Sequence, residues 1–202
     1  MNSLDRAQGW ADSPLTDAGK QTAVDLGEKL KTVDFDVAYT SDMLRTMQTA
    51  ELILKANAKP STPIKIDVRL REWCLGNMEA EHNPVFIQNV AEWLGGIDSF
   101  TELNVRLPDV ADAIFKHDTT GMAELFSTIE NRLKSVFLDA VQKRKVEKDS
   151  NILVVTHAFA IKTIFYLFAS EQLEKIGKVK NAAVSMLTFD GEDFFLNPDI
   201  LQ

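Results

Sequence analysis

Cysteine is almost absent: Cys74 stands alone among 202 residues. No intrachain disulfide can form, which fits a reducing compartment. Basic side chains are also scarce, with 22 Lys and Arg against 30 Asp and Glu, for a formal charge of −8 and a pI of about 4.9. Such a surface argues against nucleic-acid binding, which needs basic patches. It leaves room for an anionic ligand, because a few Arg side chains can reverse the field inside one cleft. Histidine occurs three times, and neither His82 nor His117 has a partner at metal-ligand spacing. No structural metal and no cofactor are expected. No cleavable leader, internal repeat or low-complexity tract is visible. The most apolar run, NILVVTHAFAIKTIFYLFA, is interrupted by His157 and Lys162. It reads as a buried strand followed by a core helix and not as a membrane span. The expectation is a soluble, cytoplasmic protein with no membrane partner.

What is present is enough apolar material for a core, 45% of the residues, and a length that suits one domain over 1–202. Thr16 is placed to cap a helix running to about Lys31, with Ala23, Leu26 and Leu30 on one face. FDVAYT (35–40) has strand character. Ser41 then starts a helix with Leu44, Met47, Leu52 and Leu54 available for packing. IKIDV begins as a strand. From Trp73 to about 120 the pattern loosens into short helical pieces broken by Gly95, Gly96 and Pro108, which predicts a helical cap inserted over one edge. A long helix follows, over about 122–145. NILVVT (151–156) is predicted as a strand buried on both faces, followed by a helix, and AAVSMLTF (182–189) as a further strand before a polar turn and FFL. The alternation implies an α/β fold with a mostly parallel sheet flanked by helices on both sides.

Ligands in such folds bind at the carboxyl ends of the strands. Three residues stand there. Arg45 lies near the start of the helix after FDVAYT, where free N–H groups and a guanidinium fork suit phosphate oxygens. The plainer account is a surface Arg paired with Asp42 or Glu51. Glu72 sits beside Trp73 at the mouth of the cap, where partial desolvation would raise its pKa toward that of a general acid. The plainer account pairs it with Arg69 or Arg71. His157 follows NILVVT at a helix N-terminus, which disfavours its positive charge unless an anion is bound. A core histidine bonded to a carbonyl is the alternative. Together the three make an anion pocket with an acid.

The same residues lie in four ordered segments that resemble the histidine phosphatase superfamily, in its phosphoglycerate-mutase-like branch. AQGWADSPLTDAGKQTA, YTSDMLRTMQTAELI, LREWCLGNMEA and VVTHAFAI each resemble one of its motifs. The resemblance implies a phosphohistidine mechanism, in which a histidine attacks phosphorus and water or a second substrate resolves the intermediate. It implies that Arg45 and His157 bind the phosphoryl oxygens, that Glu72 donates a proton to the leaving oxygen, and that Asn2 adds a hydrogen bond. Gln8 and Gly9 would line the rim, with Ala158 beside the phosphate. Two positions depart from the family pattern: Ala158 and Ala80 stand where glycine is usual. A Cβ at 158 would tighten the backbone near the phosphate.

The family's nucleophile belongs to an R-H-G-x-T-x-x-N motif ending its first strand, and Asn2 is spaced from Gly9-Trp10 as that motif's final Asn. The expectation is therefore that the Arg and His lie upstream of Met1 and that this chain is impaired. The first strand is expected to be central, so its absence would leave FDVAYT and NILVVT flanking a gap, and the unpaired interior would favour self-association into a homodimer. The leading reading is a phosphomonoester hydrolase acting on a small phosphorylated substrate. The alternatives are an inactive phosphate-binding or interaction protein, and a phosphoglycerate mutase. Within 73–120 only Arg106 and Lys116 are cationic, against acidic Glu79, Glu81, Glu92, Asp98, Glu102, Asp109, Asp112 and Asp118. That is a poor place for a bisphosphate and favours phosphatase over mutase. Trp73, Phe86, Trp93 and Phe100 either line an apolar substrate pocket or pack the cap onto the core.

Overall fold

In the computed structural model, which describes residues 4–97, 100–142, 150–175 and 179–197, helix α1 (Asp17–Lys29) begins where the Gly19 N–H donates to the Thr16 hydroxyl at 3.1 Å. Strand β1 (Val37–Thr40) is buried at every position. Helix α2 (Leu44–Ala56) returns the chain to β2 (Ile64–Ile66). Three helices follow: α3 (Asn83–Trp93), α4 (Phe100–Val105) and α5 (Leu107–His117). Then come α6 (Phe126–Gln142), β3 (Ile152–Val155), α7 (Ala158–Phe168) and the hairpin β4 (Met186–Phe189) and β5 (Phe194–Asn197).

β1 is the centre of a parallel sheet ordered β2-β1-β3. In its register Thr40 stands beside both Ile66 and Val155, so the three carboxyl ends share one edge. Residues that follow the strands, from Ser41, Asp67 and Thr156 onward, are thereby delivered to one side of the molecule. Successive side chains of β1 face opposite ways. Val37 and Tyr39 join the main apolar cluster with Leu133, Val136 and Phe165, while Ala38 and Thr40 are buried outside that cluster. The sheet is thus covered by helices on its two faces. The main cluster also takes in Phe86, Val90, Leu107, Val110 and Ile114 from α3 and α5, so the inserted helices share the core of the sheet.

Three expectations need correction. The predicted gap between FDVAYT and NILVVT does not exist, because β1 and β3 are hydrogen-bonded to each other along their full length. The discontinuity lies elsewhere. β4 and β5 pair antiparallel with one another as a separate two-stranded sheet, and among the described residues neither is bonded to β3. β3 is therefore an edge strand, half-buried at all four positions, and is not covered on both faces. Helix α2 begins at Leu44 with Met43 as its N-cap, three residues later than expected. Its buried face is consequently Thr46, Ala50, Ile53 and Leu54, and Leu44 is exposed.

α1 lies against α2 at Gly27. A Cβ there would come within 2.5 Å of the Ile53 carbonyl oxygen and 2.6 Å of the Ala56 Cβ. Glycine inside a helix normally costs about 1 kcal/mol relative to alanine. Here Gly27→Ala should reverse that sign and destabilise the protein by about 1–3 kcal/mol through overpacking. Urea unfolding of the two proteins measures the difference.

Candidate functional site

Arg45 and His157 meet at the carboxyl edge. Arg45 comes from the first turn of α2, and His157 is the N-cap residue of α7 with no side-chain cap bond of its own. The Arg45 Nε–H donates to His157 Nδ1 at 3.2 Å. Because Nδ1 accepts, the ring proton sits on Nε2, which donates to the Ser41 hydroxyl at 2.9 Å. Ser41 is fully buried and also bonds Thr46 Oγ1 at 2.7 Å. The imidazole is held neutral: burial first, then the charges of Arg45 and Arg132, push its pKa down to about 3, with Asp42 pulling the other way. Neither account of His157 as bonded to a carbonyl nor of Arg45 as paired with Asp42 or Glu51 describes this arrangement. Arg45 pairs instead with Asp12, Nη1 to Oδ1 at 3.3 Å.

Glu72 is buried beneath the same edge, and its carboxylate caps α7. Oε2 accepts the Phe159 N–H at 2.9 Å, and Oε1 accepts those of Ala160 at 2.9 Å and Trp73 at 3.0 Å. Burial raises its pKa, while these three amides and the Arg45 charge draw it back. The pairing with Arg69 or Arg71 is not formed: Arg69 binds Asp67 and Asp139, and Arg71 binds Asp42. The α7 terminus expected to face an anion is thus already occupied by a carboxylate, leaving Ala158 exposed as its first residue. The Glu72 loop is held from behind by Arg132, which donates to the carbonyls of Arg69, Arg71 and Glu72 at 2.6–2.9 Å and pairs with Glu124 at 2.8 Å.

The N-terminal loop closes the site. Its Gly9 and Ala11 carbonyls accept from Arg45 Nη2 and Nη1 at 2.7 and 2.9 Å. Gln8 donates to Ala11 O and Ser13 Oγ, so its amide braces the loop itself. Asn2 lies outside the described residues. Gly9 is required by close packing, since a Cβ would run into Glu79 and the Trp73 carbonyl. Glu79, counted in the sequence only as an acid of the cap, is the residue that reading missed. Its carboxylate accepts the N–H groups of Gly9, Trp10, Ala11 and Leu75. Its place in the LREWCLGNMEA segment was the signal available. Trp73 is core, stacked on Phe159 at 4.8 Å, and Phe86 and Trp93 pack likewise, the latter on His117 at 4.3 Å. The Phe100 side chain lies outside the described residues. Among the described residues no three His, Cys, Asp or Glu side chains gather as a metal site, and no helix is long and apolar enough to cross a membrane.

A guanidinium only 14% exposed thus stands beside a neutral imidazole at the carboxyl edge of a parallel α/β sheet, the edge at which such folds bind ligands. The chain belongs to the histidine phosphatase superfamily, whose branch 1 model matches residues 1–197. It is 29% identical over 201 residues to a probable phosphoglycerate mutase GpmB from Citrobacter koseri, covering 98% of this chain and 83% of that one. The crystal structure of a phosphoglycerate mutase from Bacillus anthracis superimposes with a TM-score of 0.89 at 31% identity, covering 97% of this chain and 86% of that chain. The α-ribazole phosphatase of Shigella flexneri shares the fold with a TM-score of 0.71 at 22% identity, over 99% of this chain and 89% of that chain.

Two outcomes follow from this geometry. Ala80, the position where the family usually has glycine, has φ of 64°. That left-handed conformation strains any residue with a Cβ, so Ala80→Gly should stabilise the protein by about 1 kcal/mol in denaturant unfolding. His157 should appear by nitrogen NMR as the neutral Nε2–H tautomer well below its ordinary pKa of 6.5. Between 6.5 and about 3 the unfolded chain binds a proton that the native imidazole does not. The stability contributed by this group is complete above 6.5 and is lost as pH falls toward 3. The slope of stability against pH in that window should be shallower in His157→Asn.

Proposed function

We propose that this protein acts on phosphomonoesters by hydrolysis, through a phosphohistidine formed on a histidine that precedes Met1. The observation that carries the reading is the meeting of Arg45 and His157 at the sheet's carboxyl edge. Arg45 would hold two phosphoryl oxygens, exchanging its bond to the half-exposed Asp12 for one to substrate. His157 would stabilise charge on the transferred group as a neutral donor by exchanging the Nε2–H bond it makes to Ser41 for one to substrate. The attacking nitrogen would form the N–P bond as the P–O bond to the leaving group breaks. Glu72, whose pKa burial raises, would take up a proton as it loosens its hold on the α7 amides, give that proton to the leaving oxygen, and then accept one from the water that releases phosphate. Asn2, Gln8, Gly9 and Ala158 would border the phosphate. Of the chain's histidines, His82 and His117 lie in the inserted segment, at the start of α3 and the end of α5. His157 is the histidine that meets Arg45 at this edge, and a further histidine as the attacking group is part of the proposal.

Mutase is the second reading, favoured by the names of the relatives at about 30% identity. Against it, Arg106, one of only two cations between 73 and 120, is already bound to Glu102 and Asp109 at 3.0 Å. That leaves little to grip a second phosphate. Robust cofactor-dependent interconversion of phosphoglycerates by the upstream-extended protein would overturn the hydrolase reading.

The deciding assay is hydrolysis of a generic aryl phosphate by this chain and by an upstream-extended form, each with and without His157→Ala. Activity in the extended form alone is the expected result, with Arg45→Ala lowering it by about a hundredfold or more. Activity in the short chain that His157→Ala abolishes would make His157 the nucleophile. Inactivity of both forms would favour a phosphate-binding or interaction protein, self-association through an open strand edge included.

A further inference from the structure

The peptide joining Gly9 to Trp10 has its two polar groups committed to different charged side chains. Its N–H donates to Glu79 Oε1 at 2.7 Å, and its carbonyl oxygen accepts Arg45 Nη2 at 2.7 Å. In a trans peptide these groups point in opposite directions. Glu79 therefore stands at one edge of a single peptide plane and Arg45 at the opposite edge. The neighbouring peptides extend the arrangement. The N–H groups of Gly9 and Ala11 both reach Glu79 Oε2 at 3.1 Å, and the Ala11 carbonyl accepts Arg45 Nη1 at 2.9 Å. A fourth donor, the Leu75 N–H, ties the same carboxylate to the loop after Glu72. The loop has no helix or strand bonds of its own from Gln8 to Leu15, and this carboxylate takes all three backbone N–H groups of residues 9–11, while Arg45, Gln8 and the Trp10 indole N–H on the Glu72 carbonyl supply the other bonds.

We propose that Glu79 is a positioning residue of the phosphoryl site: its negative charge orients the peptide planes of the 9–11 loop, and their carbonyls aim Arg45. The proposal rests on the reading of Arg45 as the phosphoryl-binding group. A negative charge, a peptide dipole and a positive charge in series polarise one another, which strengthens each bond of the chain. The arrangement leaves Arg45 Nε directed at His157 Nδ1. It also explains glycine at position 9, where a Cβ would occupy the place of the Glu79 carboxylate.

Glu79→Gln keeps the shape but turns one acceptor oxygen into an amino group facing backbone N–H donors. Two readouts separate aiming from stability: affinity for inorganic phosphate by calorimetry, and the His157 ring by nitrogen NMR. Around that ring the charged and polar groups are Arg45, Arg132, Asp42 and Ser41. Of these, Arg45 alone is held by the loop. In Glu79→Gln, phosphate binding should weaken on the order of tenfold. The His157 titration should move up from about 3 toward 6.5, in the direction produced by Arg45→Ala, which removes a charge that lowers it. Glu79→Asp, which keeps the charge on a shorter arm, should lie between the two, and it supplies the test if the Gln variant does not fold. A folded variant with unchanged phosphate affinity and an unchanged His157 ring, while Arg45→Ala moves it, would overturn the proposal. If the unsubstituted protein binds no phosphate, the functional reading fails, and the His157 signal still decides the role of Glu79.

Discussion

A guanidinium that keeps only 14% of its side chain exposed must find acceptors, because an unpaired buried charge costs far more than its bonds return. Arg45 finds them in the Gly9 and Ala11 carbonyls, in Asp12 and in His157. Each of these bonds constrains something else. The carbonyls bind a loop that has no secondary structure. The bond to Nδ1 settles the histidine tautomer and directs Nε2–H to Ser41. The positive charge helps keep the imidazole neutral and draws the Glu72 pKa down against its burial. Loop, strand end and helix start are coupled through this one side chain.

Carboxylates surround that centre, and most of them are engaged with backbone. Glu72 caps α7, and Glu79 gathers four amides. Asp118, at the end of α5, accepts the N–H groups of Asn77, Thr120, Met122 and Ala123, which hold its pKa far below the usual carboxylate range. Acids whose lone pairs are spent on N–H groups act as structural staples.

Where a segment's physics is local, the sequence was readable. Thr16 caps α1 as its hydroxyl predicts, and FDVAYT and NILVVT form strands because β-branched and apolar runs of that length do little else. The edge on which Arg45, Glu72 and His157 gather was likewise legible, since parallel connections bring strand ends to one side. The start of α2 was not. Ser41 is drawn out of the helix by burial and by its bonds to His157 and Thr46, long-range partners that propensity does not contain. Nor was the neighbour of each strand legible: the direct pairing of β1 with β3 depends on contacts more than a hundred residues apart, and the hairpin β4–β5 stands as a sheet of its own.

By itself the sequence determined the residue types at each strand end, the low positive charge and the family motifs, because these are properties of short segments and of composition. Only the tertiary structure decided what those residues bind. It turned Glu72 inward onto α7, made Glu79 the support of the loop, and fixed the proton of His157 on Nε2. Hydrogen-bond direction depends on where two distant backbones stand, and no spacing along the chain records that.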